Sequence, residues 1–107
     1  MKIYRLKKFT RGWIVGDFIP SVIRSKHAEF MIRFYKKGDK EAKHVHKKAH
    51  EITVIINGIF KMNGKTLKTG YIVHLVPGRS ADFECLEDGA NAVFKTPSVM
   101  GDKYLVE

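Results

Sequence analysis

Apolar and polar residues alternate along much of this chain with the two-residue period of a half-buried β-strand. The clearest case is the segment 29–36. In a strand, one face of this segment would carry Phe30, Ile32 and Phe34, and the opposite face would carry Met31, Arg33 and Tyr35. Further segments rich in β-branched and aromatic residues run over 51–56, 59–62, 71–76, 81–86 and 92–95. Each segment predicts a strand, because such side chains suit a pleated and partly buried surface.

Turn signals separate these predicted strands at short intervals. They are Lys37-Gly38-Asp39, Asn57-Gly58, Asn63-Gly64, Thr69-Gly70, Pro77-Gly78 and Asp88-Gly89. Asn-Gly and Asp-Gly favour hairpins because their residues tolerate positive φ. The only helical segment predicted is a weak turn over 21–27, after Pro20. Many short strands with regular turns predict an all-β protein, built as an antiparallel sandwich or barrel.

Length and composition place these strands in one domain. The chain has 107 residues, and no repeat, low-complexity tract or linker divides it, so we expect a single domain over 1–107. The only cysteine, Cys85, cannot form an internal disulfide, which favours a reducing compartment. No apolar run approaches the length of a membrane span, and the first residues lack the apolar region of a signal peptide. These features predict a cytoplasmic protein without a membrane partner.

The chain is strongly basic, which raises the question of nucleic-acid binding. Twenty lysine and arginine residues against eleven acidic ones give a formal net charge of +9. The basic residues gather at positions 7–11 and 36–48, but no basic helix face and no known nucleic-acid-binding motif accompanies them. A solvated lysine-rich surface is the preferred interpretation. Binding of an acidic small molecule or partner remains an alternative, and nucleic-acid binding is the least favoured one.

The strongest chemical signal is a pair of histidines followed by a glutamate. His44 and His46 lie two residues apart, so in a strand both imidazoles project from one face. Glu51 opens the next predicted strand, and a hairpin-like return would bring its carboxylate to the two rings. Two imidazoles and one carboxylate form the donor set of metal sites that keep open positions. The alternative is a solvated His-x-His in a lysine-rich loop.

Two glycines complete a longer motif around these residues. The pattern Gly38-x5-His44-x-His46-x4-Glu51-x6-Gly58 resembles the first characteristic motif of the cupin superfamily at every spacing. The resemblance extends over about 36–95. It implies a small single-domain cupin: an all-β, jelly-roll β-barrel made of an antiparallel double sheet. It also implies that His44, His46 and Glu51 are ligands of a divalent transition metal, and Fe, Mn, Ni, Zn and Cu all suit these donors.

The second cupin motif is degraded in this chain. The family pattern Gly-x5-Pro-x-Gly-x2-His is similar to the segment 70–83, with Val76 at the proline and Ala81 at the histidine that is usually the fourth ligand. An alignment on Pro77 instead puts Asp82 at that position. Alignment on Ala81 is preferred, because alternation directs Ala81 and Phe83 to the interior. Three states stay open: a three-ligand site, a substituted four-ligand site, or a vestigial site without metal.

Other residues are candidates to complete the site. His74 lies on the predicted strand 71–76 and is an additional possible ligand, although a partly buried structural histidine is the simpler interpretation. His50 neighbours Glu51 and should face away from it. Arg33 and Arg79 are expected near the barrel mouth, where they would pair with an anionic substrate.

The resemblance implies a function in outline only. The preferred hypothesis is a cupin-fold protein that holds a divalent metal and a small organic ligand, with oxygenase, isomerase or lyase chemistry on a small carboxylate or sugar as the possible activity. The alternative is a non-enzymatic binding or scaffold module with a vestigial metal site. The resemblance also implies a homodimer, in which the amino-terminal segment Met1–Phe9 would pair with the partner as a strand.

Overall fold

The computed structural model describes residues 1–106, and almost all regular structure in this range is strand. Two short 3₁₀ turns, Leu6–Lys8 and Thr10–Gly12, precede the strands. The strands are β1 (Trp13–Gly16), β2 (Ile23–Arg24), β3 (Glu29–Tyr35), β4 (Lys40–Val45), β5 (His50–Met62), β6 (Lys65–Lys68), β7 (Ile72–Leu75), β8 (Ala81–Thr96) and β9 (Tyr104–Leu105). Within these residues no helix is long and apolar enough to cross a membrane.

The strands belong to one sheet that folds over on itself without closing. The main path runs β2-β1-β3-β8-β4-β9, while β5 pairs with β6, β7 and β8. Every pair is antiparallel except β1 with β2, which is parallel. The all-β prediction is therefore confirmed. The strand pairing found among residues 1–106 leaves the barrel open, because β2 and β9 end the path without pairing to each other.

The helical turn predicted over 21–27 is wrong. Ile23 and Arg24 form β2 and pair with Val15 and Gly16 of β1. The amide of Val22 donates to the carbonyl of Ile14 at 2.7 Å. The backbone groups of this segment are satisfied by β1, and that long-range pairing overrides a weak local helix signal.

The turns predicted at Asn57-Gly58 and Asp88-Gly89 are wrong as well. Both dipeptides lie inside long strands, β5 and β8, whose mutual register shifts at bulges on either side of Asn57. Gly58 has φ +83°, and a Cβ added there would come within 2.7 Å of the Cα of Gly89. Close backbone contact between the two strands, rather than a chain reversal, therefore explains why glycine is needed at this position of the motif.

Inward-facing side chains divide the interior into two parts. At one end an apolar core fills the space between the facing parts of the folded sheet. There Phe60 stacks on Phe83 with ring centroids 4.9 Å apart. The buried members of this core are Tyr35, Ile55, Phe60, Met62, Leu67, Ala81, Phe83 and Cys85. At the other end the inward residues of the same strands are polar, among them Glu29, Glu51 and Lys95. These polar side chains line the interior space in which a site can form.

Candidate metal centre

The end of β4 and the start of β5 carry the three predicted ligands. His44 lies near the end of β4, His46 follows that strand, and Glu51 is the second residue of β5. The candidate ligand atoms of all three lie within 4.8 Å of one another. His46 Nε2 is 3.4 Å from Glu51 Oε1, and both side chains are nearly buried. The short connection between the strands therefore brings the three groups together, as the spacing predicts.

Backbone carbonyls hold the two imidazoles in defined orientations. His46 Nδ1 is 2.6 Å from the carbonyl oxygen of Asp102, and His44 Nδ1 is 2.9 Å from that of Ala42. A carbonyl oxygen only accepts, so each Nδ1 must carry the proton and donate it. In a neutral imidazole this leaves the lone pair on Nε2, the usual arrangement of a histidine prepared for a metal ion.

Asp102 holds the connection between β4 and β5 in place. Its carboxylate is buried and accepts the amides of Lys47, Lys48 and Ala49 at 2.9–3.2 Å. Burial raises the pKa of the Asp102 carboxyl, but these three backbone donors outweigh burial and lower the pKa below its ordinary value. Sequence reasoning missed this residue. It lies more than fifty positions from the loop it caps, and no local pattern marks it.

The charge state of Glu51 follows from its neighbours. Burial raises the pKa of the Glu51 carboxyl, and in the metal-free protein the hydrogen bond and charge of a doubly protonated His46 oppose the effect of burial. The charges of His44 and Lys95 add to this opposition, so the pKa lies below its ordinary value. The carboxylate is therefore ionised at neutral pH, which is the form that ligates a metal.

These residues line an interior cavity of about 430 Å³. Its wall also contains Glu29, Lys95 and Ser98, which are polar and largely buried. The wall includes Asn91 as well, whose Oδ1 is buried and has no hydrogen-bond partner among residues 1–106. Lys95 was not singled out as a site residue by sequence reasoning, although the alternation of its strand places it on the inner face.

Solved structures share this architecture. An uncharacterised conserved protein with a double-stranded β-helix domain from Klebsiella pneumoniae superposes with a TM-score of 0.71 at 21% identity, covering 100% of this chain and 98% of that one. The DMSP lyase DddQ from Ruegeria pomeroyi superposes with a TM-score of 0.65 at 20% identity, covering 78% of this chain and 45% of that one. The pirin YhhW from Escherichia coli in complex with nickel(II) superposes with a TM-score of 0.67 at 14% identity. The match covers 82% of this chain and 39% of that one.

The chain has the fold of solved cupin proteins, such as one from Shewanella frigidimarina with a TM-score of 0.65 at 19% identity over 70% of each chain. No family model matches its sequence, and no curated protein does. The identities to the solved cupin-type structures are low, so they support the architecture and leave the chemistry to the residues of this chain.

Ala81, which the preferred alignment puts at the usual fourth cupin ligand, faces the cavity. Ala81 is buried, lines the cavity and pairs in register with His44. Asp82 is exposed, and its carboxylate accepts the amide of Asn63 at 2.7 Å. The structure therefore brings three of the predicted ligands together and engages Asp82 in a turn at the cavity wall.

The additional histidine candidates lie elsewhere. His74 is on β7, exposed, and its Nε2 is 3.0 Å from Nδ1 of His50. The two rings stack at 5.3 Å, and neither lines the cavity. His74 is thus placed apart from the three ligands and paired with the residue that alternation predicts to face outward.

The two arginines expected at the barrel mouth differ in position. Arg33 lines the cavity, but its guanidinium pairs with Glu41 at 3.1 Å and donates to the carbonyl of Arg11 at 2.6 and 2.8 Å. Arg79 is exposed and is not part of the cavity wall. Arg33 therefore braces two strands and the segment before β1, and neither arginine presents a free guanidinium to the cavity.

The cluster fits a transition metal ion. Two ligands held about 2.1 Å from one ion are about 3.0–3.4 Å apart at ordinary coordination angles. The 3.4 Å separation of His46 Nε2 and Glu51 Oε1 falls in this range. The three candidate ligand atoms lie within 4.8 Å of one another, so the wider separations must shorten by small side-chain rotations when an ion binds. Each imidazole already has, on the ring nitrogen away from the site, the carbonyl partner that orients a metal-bound histidine. The donor set is that of facial two-histidine, one-carboxylate sites.

Proposed function

We propose that this cupin-fold protein binds one divalent transition metal through His44, His46 and Glu51 and holds a small organic ligand beside it in the cavity. The observation that carries the proposal is the joint placement of three donor atoms within 4.8 Å and a carbonyl partner on each Nδ1. A solvated His-x-His would require neither the buried position of His46 nor the loop fixed by Asp102.

The chain's own residues prepare the site before any ligand enters. In their neutral form His44 and His46 present Nε2 lone pairs, because Ala42 and Asp102 accept from the opposite ring nitrogens. Glu51 contributes the single negative charge of the ligand set. When bound, a divalent ion there supplies Lewis acidity, which stabilises negative charge that develops on substrate oxygens.

The absence of a ligand at Ala81 gives the site more open positions than four protein ligands would. Open positions suit small molecules that chelate through two oxygens. Oxygenation, isomerisation or lysis of a small carboxylate or sugar is the activity that we propose to test. The nickel-bound pirin makes nickel one of the metals to include.

Metal analysis of protein produced without an affinity tag tests the proposal. We expect a bound first-row metal after purification, or its stoichiometric uptake after treatment with Fe²⁺, Mn²⁺, Ni²⁺, Zn²⁺ or Cu²⁺. Because an ion that binds only the native state stabilises it, at 100-fold excess over its Kd the metal should add about 2.7 kcal/mol to the free energy of unfolding. Protein that remains metal-free under every condition would refute the proposal.

Ala81 also favours a second candidate, a non-enzymatic binding or scaffold module. Without a fourth ligand, the polar end of the cavity would serve a small molecule directly, without a metal ion. This candidate predicts that His46→Ala leaves ligand binding unchanged, whereas the metal proposal predicts its loss.

We propose in addition that the protein pairs with a second copy of itself. The amino-terminal segment expected to form the dimer strand contains a 3₁₀ turn at Leu6–Lys8 instead. Support comes from the outer face of the sheet, where apolar side chains are exposed, Phe34 by 73%. Ile56, Ile72 and Phe94 are also exposed. Light scattering should show a dimer that Phe34→Asp shifts to monomer; a monomeric parent protein at high concentration would contradict this.

A further inference from the structure

Three inward-facing residues form a charged row across the polar end of the cavity. Lys95 on the central strand β8 pairs in register with Glu29 of β3 on one side and with Glu51 of β5 on the other. Residues in register on adjacent strands project to the same face. The Lys95 ammonium therefore lies between a carboxylate outside the metal cluster and one inside it.

The surroundings of Lys95 hold its ammonium in this place. Its Nζ is 3.3 Å from Glu29 Oε1 and 5.1 Å from the centre of the Trp13 ring. Glu29 is itself fixed, because Ser98 Oγ donates to its other oxygen at 2.8 Å. Ser98 in turn accepts the amide of Asp17 at 3.0 Å. Only 13% of the Lys95 side chain is exposed, so it is not an ordinary solvated lysine.

An ammonium has three donors, and the structure assigns Lys95 a single ion pair, with Glu29. The other buried cation of the cavity, Arg33, is occupied by Glu41 and the carbonyl of Arg11. The remaining cations of the wall, Arg11 and Lys103, are exposed. Within residues 1–106, Lys95 is therefore the buried cavity cation with donors to spare.

We propose that Lys95 is the anion-binding residue of the cavity, and that its ligand is a small organic acid whose carboxylate contacts both the Lys95 ammonium and the ion held by His44, His46 and Glu51. This inference rests on the proposed metal site. A carboxylate suits the position because Glu51 occupies one side of the ion, and the ammonium of Lys95 neutralises the negative charge brought in beside it. A charge-assisted hydrogen bond in such a shielded place is strong.

Cobalt(II)-loaded protein titrated with glycolate and with its uncharged analogue glycolamide tests this proposal. Calorimetry gives the affinity, and the visible absorption of cobalt reports contact with the ion. We expect glycolate to bind at least about 10-fold more tightly than glycolamide and to shift the cobalt spectrum, because one charge-assisted hydrogen bond accounts for about a tenfold to hundredfold difference in affinity.

Substitution of Lys95 isolates its contribution. Lys95→Met should weaken glycolate binding by about 10-fold or more, leave glycolamide binding unchanged and not weaken cobalt binding, whereas Lys95→Arg should keep most of the glycolate affinity. Lys95→Gln is used alongside, because it keeps a polar contact with Glu29 if the methionine variant folds poorly. Lys68→Met, an exposed lysine on β6, is the matched control and should match the parent.

The outcomes separate the two proposals. Protein that takes up neither cobalt nor any of Fe²⁺, Mn²⁺, Ni²⁺, Zn²⁺ and Cu²⁺ overturns both, and protein that takes up one of these metals in place of cobalt is titrated with glycolate and glycolamide in that form. Protein that binds cobalt overturns the role of Lys95 alone if glycolate leaves the cobalt spectrum unchanged, if glycolamide binds as well as glycolate, or if the Lys95 variants keep the parent affinity for glycolate.

Discussion

Two pairs of histidines in this protein have the same ring separation and different surroundings. The His44 and His46 rings are 5.2 Å apart and nearly perpendicular, while the His50 and His74 rings are 5.3 Å apart and nearly parallel. The first pair faces the cavity, with a carboxylate beside it and a carbonyl behind each ring. The second pair is exposed, and one ring hydrogen-bonds the other.

The difference shows that proximity of imidazoles does not by itself make a metal site. In the outer pair Nδ1 of His50 and Nε2 of His74 share one hydrogen bond, so their lone pairs are not both free. In the inner pair each Nδ1 atom hydrogen-bonds a backbone carbonyl, and both Nε2 atoms face the same part of the cavity. The carbonyl groups that orient the imidazoles therefore distinguish the two pairs.

The largest expected effect comes from removing one histidine of each pair. His46→Ala removes a metal ligand. It should reduce metal affinity by more than the roughly 10–100-fold that follows from loss of a group hydrogen-bonded to a ligand. His74→Ala is the matched control on the outer pair and should leave metal content unchanged. Metal titration followed by elemental analysis of both variants makes the measurement. Equal metal loss in the two variants would remove the distinction between the pairs.

The next effect comes from the residue behind the inner pair. Asp102→Ala leaves three amides of the loop 47–49 without their acceptor, which should lower the free energy of unfolding by about 3 kcal/mol. The looser loop should also weaken metal binding by about 10-fold or more. Urea denaturation and metal titration provide the two readouts.

Asp82→Ala is the control for this change, since Asp82 also accepts a backbone amide but is exposed. It should cost about 1 kcal/mol or less and leave metal affinity unaltered. If Asp102→Ala proves as mild as Asp82→Ala, then Asp102 does not hold the site in shape.

A smaller effect concerns pH. The pKa of Asp102 is lowered from 3.8, so its ionised form stabilises the metal-free native state. This contribution is complete at pH values above the unfolded pKa and is lost as the pH falls through the folded pKa. The difference in unfolding free energy between the parent and Asp102→Asn should stay constant from pH 7 to about 5 and shrink toward pH 3. A difference that persists undiminished at pH 3 would show that the carboxylate charge is not the cause.

The comparison also shows which features the sequence could predict. His44, His46 and Glu51 were predictable because the motif is local: strand alternation and one short return suffice to bring them together. The roles of Asp102 and Lys95 could not be predicted in this way. The role of Asp102 depends on a carboxyl-terminal segment that folds back over the loop 47–49, and the role of Lys95 depends on the register of β3, β8 and β5. The turns at Asn57-Gly58 and Asp88-Gly89 were misassigned for a related reason. A dipeptide that permits a turn equally permits a bulge, and only the facing strand decides between them.

The smallest expected effect comes from adding a ligand to the inner pair. Ala81 pairs in register with His44 and borders the cavity, so Ala81→His would place a third imidazole beside the first two. We expect metal binding to tighten by about 10-fold or less, because a buried imidazole must also be accommodated and each 1.4 kcal/mol counts for a factor of ten. An extra ligand closes a position that exogenous molecules would use, so glycolate binding to the cobalt form should weaken at the same time. Metal affinity that rises without loss of glycolate affinity would mean that small molecules do not enter at the position of Ala81.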